Sequence, residues 1–422
     1  MNNMRINKLA GNIFSLAAVQ AIDYVVPMLA IPYLLRVVGI DGYGRIAFTQ
    51  ATLVFFIVLI DYGFGWSATK RVASLRLSGE SVNNLFWQVQ CTKIFLLTGS
   101  ALVLTLLILF VPSFGAYNPV ICSGYILMLG ATFFPLWLYQ GLGMVKSAAV
   151  ALLGFRILSL ILIFLFVKNE DDAFLAAMLQ SMPMLFAGLI LIVKLKIDGV
   201  LHFRSTEKLR IRQELISGWP AFSASAASLA YRSSNPVFLG VVMSPNVVAY
   251  YSVAEKIVKA VQELLKPVSQ ATYPRVMELA CKSREETVRF LRRLFLFVGA
   301  STFVGSIAIV IASPRLVGFL MGEIPGDAVL LVAIMAFIPF VGGLNMVLGM
   351  QAMFAFDYGK DFSRRVVIAG VLGLCVFFPL IYIFGVAGAG ISYLFSEIIL
   401  LLLLVIFHKR RKTGVYQFWR FS

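Results

Sequence analysis

Twelve long apolar segments, joined by short polar stretches, constrain this chain more than any motif it contains. They lie near residues 10–37, 46–64, 86–111, 119–141, 147–167, 173–193, 215–243, 247–274, 289–312, 328–354, 364–384 and 387–407. About 20 apolar residues in a helix cross the hydrocarbon core of a bilayer. In water, twelve such segments have nowhere to bury themselves. The chain is 60% hydrophobic and 13% charged, against about 45–50% and about 25% for soluble domains. Lipid is therefore the solvent. The segments are too long, and too poor in alternation, for the strands of a membrane barrel. The predicted fold class is an all-α polytopic membrane protein of about 12 transmembrane helices. No connection is long enough for a soluble domain, and the segment 313–327 is expected to be the largest outside loop. The first segment follows Arg5 and Lys8 but is too long for a signal peptide and lacks a well-placed cleavage site, so it is expected to remain as the first helix.

Orientation follows from Lys and Arg in the connections. With the N-terminus inside, 26 of these residues fall in inside loops and tails and three outside, namely Arg45, Lys168 and Arg315. That asymmetry predicts an even number of spans, both termini on the cytoplasmic side, and contact with anionic headgroups there. The net charge of +16 is thus a topology signal. The bases sit in short loops beside spans, which argues against nucleic acid as a partner.

The highly charged connection 194–214, with six Lys and Arg residues, divides the spans six and six. Each half begins with a long span, a very short outside turn and a polar-flavoured span ending in a basic loop. This predicts a parallel repeat: an N-terminal six-helix lobe at 1–196, a cytoplasmic linker at 197–213, a C-terminal six-helix lobe at 214–408 and a basic tail at 409–422. The two lobes are expected to surround a central cavity.

Charges inside spans cost several kcal/mol unless they face protein or water. The eighth span is the most informative. Glu255, Lys256, Lys259, Gln262, Glu263 and Lys266 recur at steps of three and four, so they share one helical face. That face is either the wall of a water-filled cavity or an ion-pair ladder through Glu255–Lys259 and Lys259–Glu263. Its three bases and two acids leave a cation over on the face itself. Arg232, in the outer half of span seven, and Lys256 at similar depth suit a phosphate, by fork geometry and point charge respectively. Arg156 and Lys93, on the inner half of the first lobe, suit a first docking point; snorkelling to the interface is the rival role for Lys93. Asp23, Asp61 and Glu255 are candidates for binding a coupling proton or Na⁺, with ion pairing as the alternative. Glu397, inside an apolar run, is expected to serve helix packing.

Enzyme signatures are missing. The two histidines, His202 and His408, lie in basic segments, and there is no Walker A loop or zinc spacing. The four cysteines stand singly and are expected to be small buried apolar residues. No enzyme activity, metal or cofactor is expected, beyond use of a proton or sodium gradient. A ligase or polymerase would need catalytic residues in a sizeable outside loop, which 313–327 hardly supplies.

Three strings carry a resemblance. They are PYLLRVVGIDGYGRIAF at 32–48 with DYGFGWSATKRVA at 61–73, FFPLWLYQGLGMVK at 133–146, and SPRLVGFLMGEIPGDAVLLV at 313–332. In this order and spacing they resemble the polysaccharide-transporter family, the Wzx-type flippases of O-antigen and related repeat units, within the multidrug/oligosaccharidyl-lipid/polysaccharide exporter superfamily. The likeness runs the whole chain, and the first string is its most specific part. One departure is Gly143, where the family often has an acidic residue. The resemblance implies two six-helix lobes about a central cavity in the bacterial inner membrane. It implies transfer of an undecaprenyl-pyrophosphate-linked oligosaccharide to the periplasmic leaflet by ion-driven alternating access, and proximity to an O-antigen polymerase and a chain-length regulator. A multidrug exporter of the same superfamily, or a flippase for another lipid-linked glycan, remains the alternative.

Overall fold

A computed structural model describes residues 29–202, 210–263 and 265–415, leaving aside the side chains of 224, 227, 228 and 230–232. The helices, in chain order, are α1 (29–37), α2 (Gly39–Asp61), α3 (Phe64–Ser78), α4 (Asn83–Phe110), α5 (Pro112–Gly115), α6 (Gly124–Phe133), α7 (Leu136–Gly141), α8 (Val145–Phe166) and α9 (Ala173–Ile197). They continue as α10 (Ile211–Ser233), α11 (Asn235–Val242), α12 (Pro245–Glu263), α13 (Leu265–Lys282), α14 (Arg284–Met321), α15 (Gly326–Met335), α16 (Ile338–Asn345), α17 (Gly359–Phe384) and α18 (Val386–Arg410). A π-helical stretch, Met346–Met353, follows α16 directly. No β-strand occurs among the described residues.

The pattern of burial confirms lipid as the solvent. On α4 the inward side chains include Gln88, Gln90, Thr92, Lys93 and Ser100. Its outward ones include Ile94, Phe95, Leu102, Val103, Leu106, Leu109 and Phe110. Water would impose the reverse. Among the described residues, nine helical stretches are long and apolar enough to cross a membrane, so the chain is a multi-pass membrane protein. Of the other three expected spans, the first lies largely outside the described residues. The seventh is helical but broken between α10 and α11, and the eighth between α12 and α13.

Contacts divide the chain into two units, residues 1–229 with 236–248, and 230–235 with 249–422. The core of the first gathers Phe64, Val72, Val89, Leu138 and Leu191. That of the second gathers Val276, Leu291, Val347, Leu404 and Phe407. Small residues let helices approach where lipid offers no hydrophobic drive. A Cβ on Gly188 would come 2.7 Å from the Phe133 carbonyl oxygen, so α9 lies directly against the end of α6. In the second unit Gly373 plays this part between α17 and α18, where the Ser392 hydroxyl donates to its carbonyl oxygen at 3.0 Å.

Two expectations need correction. Residues 313–321 form no loop: α14 runs through Pro314 to Met321, leaving only Gly322–Pro325 as its link to α15. Proline is tolerated there because neighbouring helices cover the freed backbone groups. The cysteines are not buried: Cys281 and Cys375 are exposed, Cys91 and Cys122 half-buried. A thiol on a lipid-facing helix such as α17 needs no burial to avoid water.

Candidate functional site

The string Asp61-Tyr62-Gly63 interrupts a 40-residue membrane-spanning stretch. Helix α2 ends at Asp61, Tyr62 and Gly63 take left-handed φ values of 42° and 75°, and α3 starts at Phe64. Only glycine fits at 63: its φ is positive, and a Cβ would lie 2.5 Å from the Ala221 Cβ on α10. Tyr62 stacks on Phe222 of the same helix at 4.6 Å. A second break lies at Phe134-Pro135, which separates α6 from α7. The Thr69 hydroxyl joins the two breaks by donating to the Trp137 carbonyl at 3.0 Å.

These broken helices, with α8 and α9, enclose a cavity of about 800 Å³ within the first unit, lined by Asp61, Trp66, Lys70, Trp137, Gln140, Arg156 and Gln180, among others. Ligand sites commonly span about 300–1,000 Å³. Irregular backbone at membrane depth is expected where it lines such a space.

Asp61 and Arg156, both singled out from the sequence, are therefore brought to one wall. Lys93 is not on that wall. Its ammonium group, 1% exposed, meets Asp61 Oδ1 at 2.8 Å and donates to the Ala131 carbonyl at 2.6 Å. Lys93 thus does not snorkel. It turns inward because a paired, hydrogen-bonded ammonium avoids the cost of an isolated charge. Asp61 stays 50% exposed and presents a carboxylate whose charge is balanced from behind. The remaining charged lining residues, Lys70 and Arg156, are both cationic. Arg156 also makes a further electrostatic or hydrogen-bonding contact.

In the second unit the polar face of α12 is present. Glu255 is nearly buried and lies 2.9 Å from Lys259, without the alignment of a hydrogen bond. Glu263 pairs with Lys266 at 2.5 Å, one step beyond the end of α12, rather than with Lys259. Lys256 is half-buried and engaged as well, so the cation left over on that face has a contact. Asp23 lies outside the described residues. So does the side chain of Arg232, whose backbone belongs to α10. Glu397 accepts from Asn345 Nδ2 at 2.7 Å, which ties α18 to α16. Beyond the spans, hydrogen bonds from Lys282 and Arg275 hold the Glu278 carboxyl below its usual range.

Several functional groups escaped the sequence. Arg71, counted there as a loop base, grips Glu214 through Nη1 at 2.6 and 2.8 Å, and Glu214 is buried. Gln180 accepts from Gln50 Nε2 at 2.5 Å. Glutamines within apolar spans were the available signal for Gln50 and Gln180. Nothing local marked Glu214. Gly143, the departure noted above, has a φ of 72°, and a Cβ there would crowd Arg76 Nη1. The left-handed turn explains glycine at this position.

Comparison with known proteins agrees with the bundle. The family described as "Polysaccharide biosynthesis protein" matches residues 9–280. A protein from Escherichia coli (strain K12) that carries the name of an O-antigen transporter is 30% identical over 98% of this chain and 100% of its own. A protein of the same designation from Shigella dysenteriae is 26% identical over 93% of this chain and 98% of its own. Among solved structures, the lipid II flippase MurJ in an inward closed conformation superposes with a TM-score of 0.68 at 14% identity, covering 94% of this chain and 89% of that one. An inward-facing MATE family multidrug resistance transporter of the MOP superfamily gives 0.65 at 15% identity, covering 94% and 100%. The last two likenesses concern the fold alone. The family match and the full-length relatives go further: this chain belongs to the polysaccharide biosynthesis protein family.

Proposed function

We propose that the chain is a flippase that carries undecaprenyl-pyrophosphate-linked O-antigen, or a similar polysaccharide repeat unit, from the cytoplasmic to the periplasmic leaflet of the bacterial inner membrane. The observation that carries this reading is the first unit's cavity, roofed by broken helices and carrying Lys70 and Arg156, in a chain similar end to end to a named O-antigen transporter. A pyrophosphate headgroup needs cations; sugars need a wet polar space; a polyprenyl tail needs only the surrounding bilayer.

Arg156 is the first docking cation in this scheme. Lys93 serves it indirectly, by neutralising Asp61 so that the carboxylate does not repel phosphate. Arg232, Lys256 and Lys259 are later contacts of the second lobe. Asp23, Asp61 and Glu255 are the candidates for coupling to a proton or sodium gradient through alternating access. Both termini lie in the cytoplasm, the six-helix lobes are 1–196 and 214–408 about the 197–213 linker, and an O-antigen polymerase and chain-length regulator act next on the product. The MATE-like fold supports multidrug export as the second reading, but cationic drugs favour a carboxylate-rich wall, and the one carboxylate that lines this cavity among the described residues is balanced by Lys93.

The test is deletion of the gene followed by complementation. Loss of the lipopolysaccharide ladder, with complete repeat units held on the cytoplasmic face, is the expected result. Repeat units already periplasmic but unpolymerised would move the protein to a later step. An intact ladder would turn attention to drugs or another glycan.

A further inference from the structure

The first unit has a second space, on its lipid side. Helix α6 packs against both α4 and α9, and its last residue, Phe133, lies in a groove of about 190 Å³ between those two neighbours. Phe86 and Ile94 of α4 and Leu189, Ile192 and Lys196 of α9 also line it. Ile94 and Leu189 are exposed within spanning stretches, so the groove opens toward acyl chains. Its neutral polar side chains are tied off. Gln90 Nε2 donates to the Thr132 carbonyl at 3.2 Å, and Trp87 Nε1 donates to the His202 carbonyl at 2.8 Å.

One end of the groove is closed by built structure. After α9 the chain turns at Gly199, with φ of 70°, and Leu201 enters the core. The His202 backbone N–H then donates to Asn83 Oδ1 at 2.8 Å, at the start of α4. This end is a membrane boundary, because the stretch Asn83–Phe110 begins here and Glu170–Ile197 ends here. Lys194 and Lys196 occupy the last turn of α9, both exposed, with one acid, Asp198, following them. Lys196 has a contact within the protein, but an ammonium carries three donors. Its stem belongs to the apolar lining while its charge seeks the polar boundary. Basic pockets between spanning helices at the cytoplasmic surface suit anionic headgroups. An apolar slot that ends at an ammonium therefore matches an amphiphile with an apolar chain and a phosphate.

We propose that this groove binds one anionic glycerophospholipid of the cytoplasmic leaflet, with an acyl chain between α4 and α9 and the phosphate at Lys196. The leaflet follows from the orientation proposed above. The site is separate from the cavity that carries Arg156, and it does not depend on the flippase reading.

The test uses the purified full chain, stripped of lipid in detergent and titrated with phosphatidylglycerol or with phosphatidylcholine of the same acyl chains. Native mass spectrometry counts the lipid retained. Wild type should hold one phosphatidylglycerol about fivefold or more tightly than phosphatidylcholine, the preference that one well-placed lysine supplies. Lys196→Gln should bring the two lipids to near parity, whereas Lys146→Gln, an exposed lysine away from the groove, should behave as wild type. Leu189→Trp, which fills the groove and keeps Lys196, should abolish retention. Thermal unfolding shows whether each variant is folded, and if Leu189→Trp is not, the two lysine variants still decide. Equal retention of both lipids by wild type, or equal preference in Lys196→Gln and Lys146→Gln, would overturn the site. So would full retention by folded Leu189→Trp, which would place the lipid elsewhere. Displacement of phosphatidylglycerol by undecaprenyl phosphate at a far lower concentration would also overturn it, and would give the groove to a polyprenyl lipid instead.

Discussion

The two units handle charge inside the membrane in different ways. In the first, Lys93 of α4 reaches the carboxylate of Asp61, 32 residues earlier, at the end of a broken helix, and holds from behind the one partner, Asp61, that lines a cavity. In the second, Glu255 pairs with Lys259 one turn away on α12, and Glu263 at the end of α12 pairs with Lys266 in the first turn of α13. Two fully buried polar side chains of the second unit, His408 and Gln351, pin helices. His408 links the Leu348 carbonyl of the π-helix to Thr413 at 2.8 and 2.9 Å, and Gln351 Nε2 donates to Thr272 at 2.8 Å. A pair that spans elements shapes a space and is costly to break. A pair within one helix does neither, because each partner is only a turn away and partly wet.

Removing the cross-element partner gives the sharpest contrast. Lys93→Met leaves Asp61 without its ammonium. Breaking a fully buried pair costs about 3–5 kcal/mol, and the half exposure of Asp61 lowers this to about 2 kcal/mol, read as a fall in thermal unfolding temperature in detergent. Adding Asp61→Asn should recover at least half of the loss, with coupling of about 1 kcal/mol or more in the double-mutant cycle. Strictly additive losses would mean that the pair is incidental. Next comes the second unit's own clamp: His408→Ala strips a buried carbonyl and a hydroxyl of their partner and should cost about 1–2 kcal/mol. A loss there as large as that of Lys93→Met would erase the distinction between the units. The smallest effect belongs to the helix-internal pair. Lys259, 42% exposed, should tolerate replacement by Gln within about 0.5 kcal/mol; a larger loss would show that the α12 face is fixed by tertiary contacts.

The same contrast explains what the sequence revealed. Spans are legible because length and apolarity are local properties, and Glu255–Lys259 is legible because four residues make one helical turn. Asp61–Lys93 and Arg71–Glu214 are not, since no spacing rule joins residues 32 or 143 positions apart. Ser313-Pro314 misled because proline signals a helix end in water but not among packed membrane helices. Trp66 stood inside a recognised string, yet only the fold shows that its ring opens onto a cavity.

The most direct measurement is transport by the purified protein in liposomes, following the access of a lipid-linked oligosaccharide to a glycosidase added on the far side. Wild type should expose the glycan over time, and Arg156→Gln, equally folded and equally incorporated, should slow this by about tenfold or more. Transport by Arg156→Gln at the wild-type rate would contradict the assignment of the first unit's cavity as the entry site.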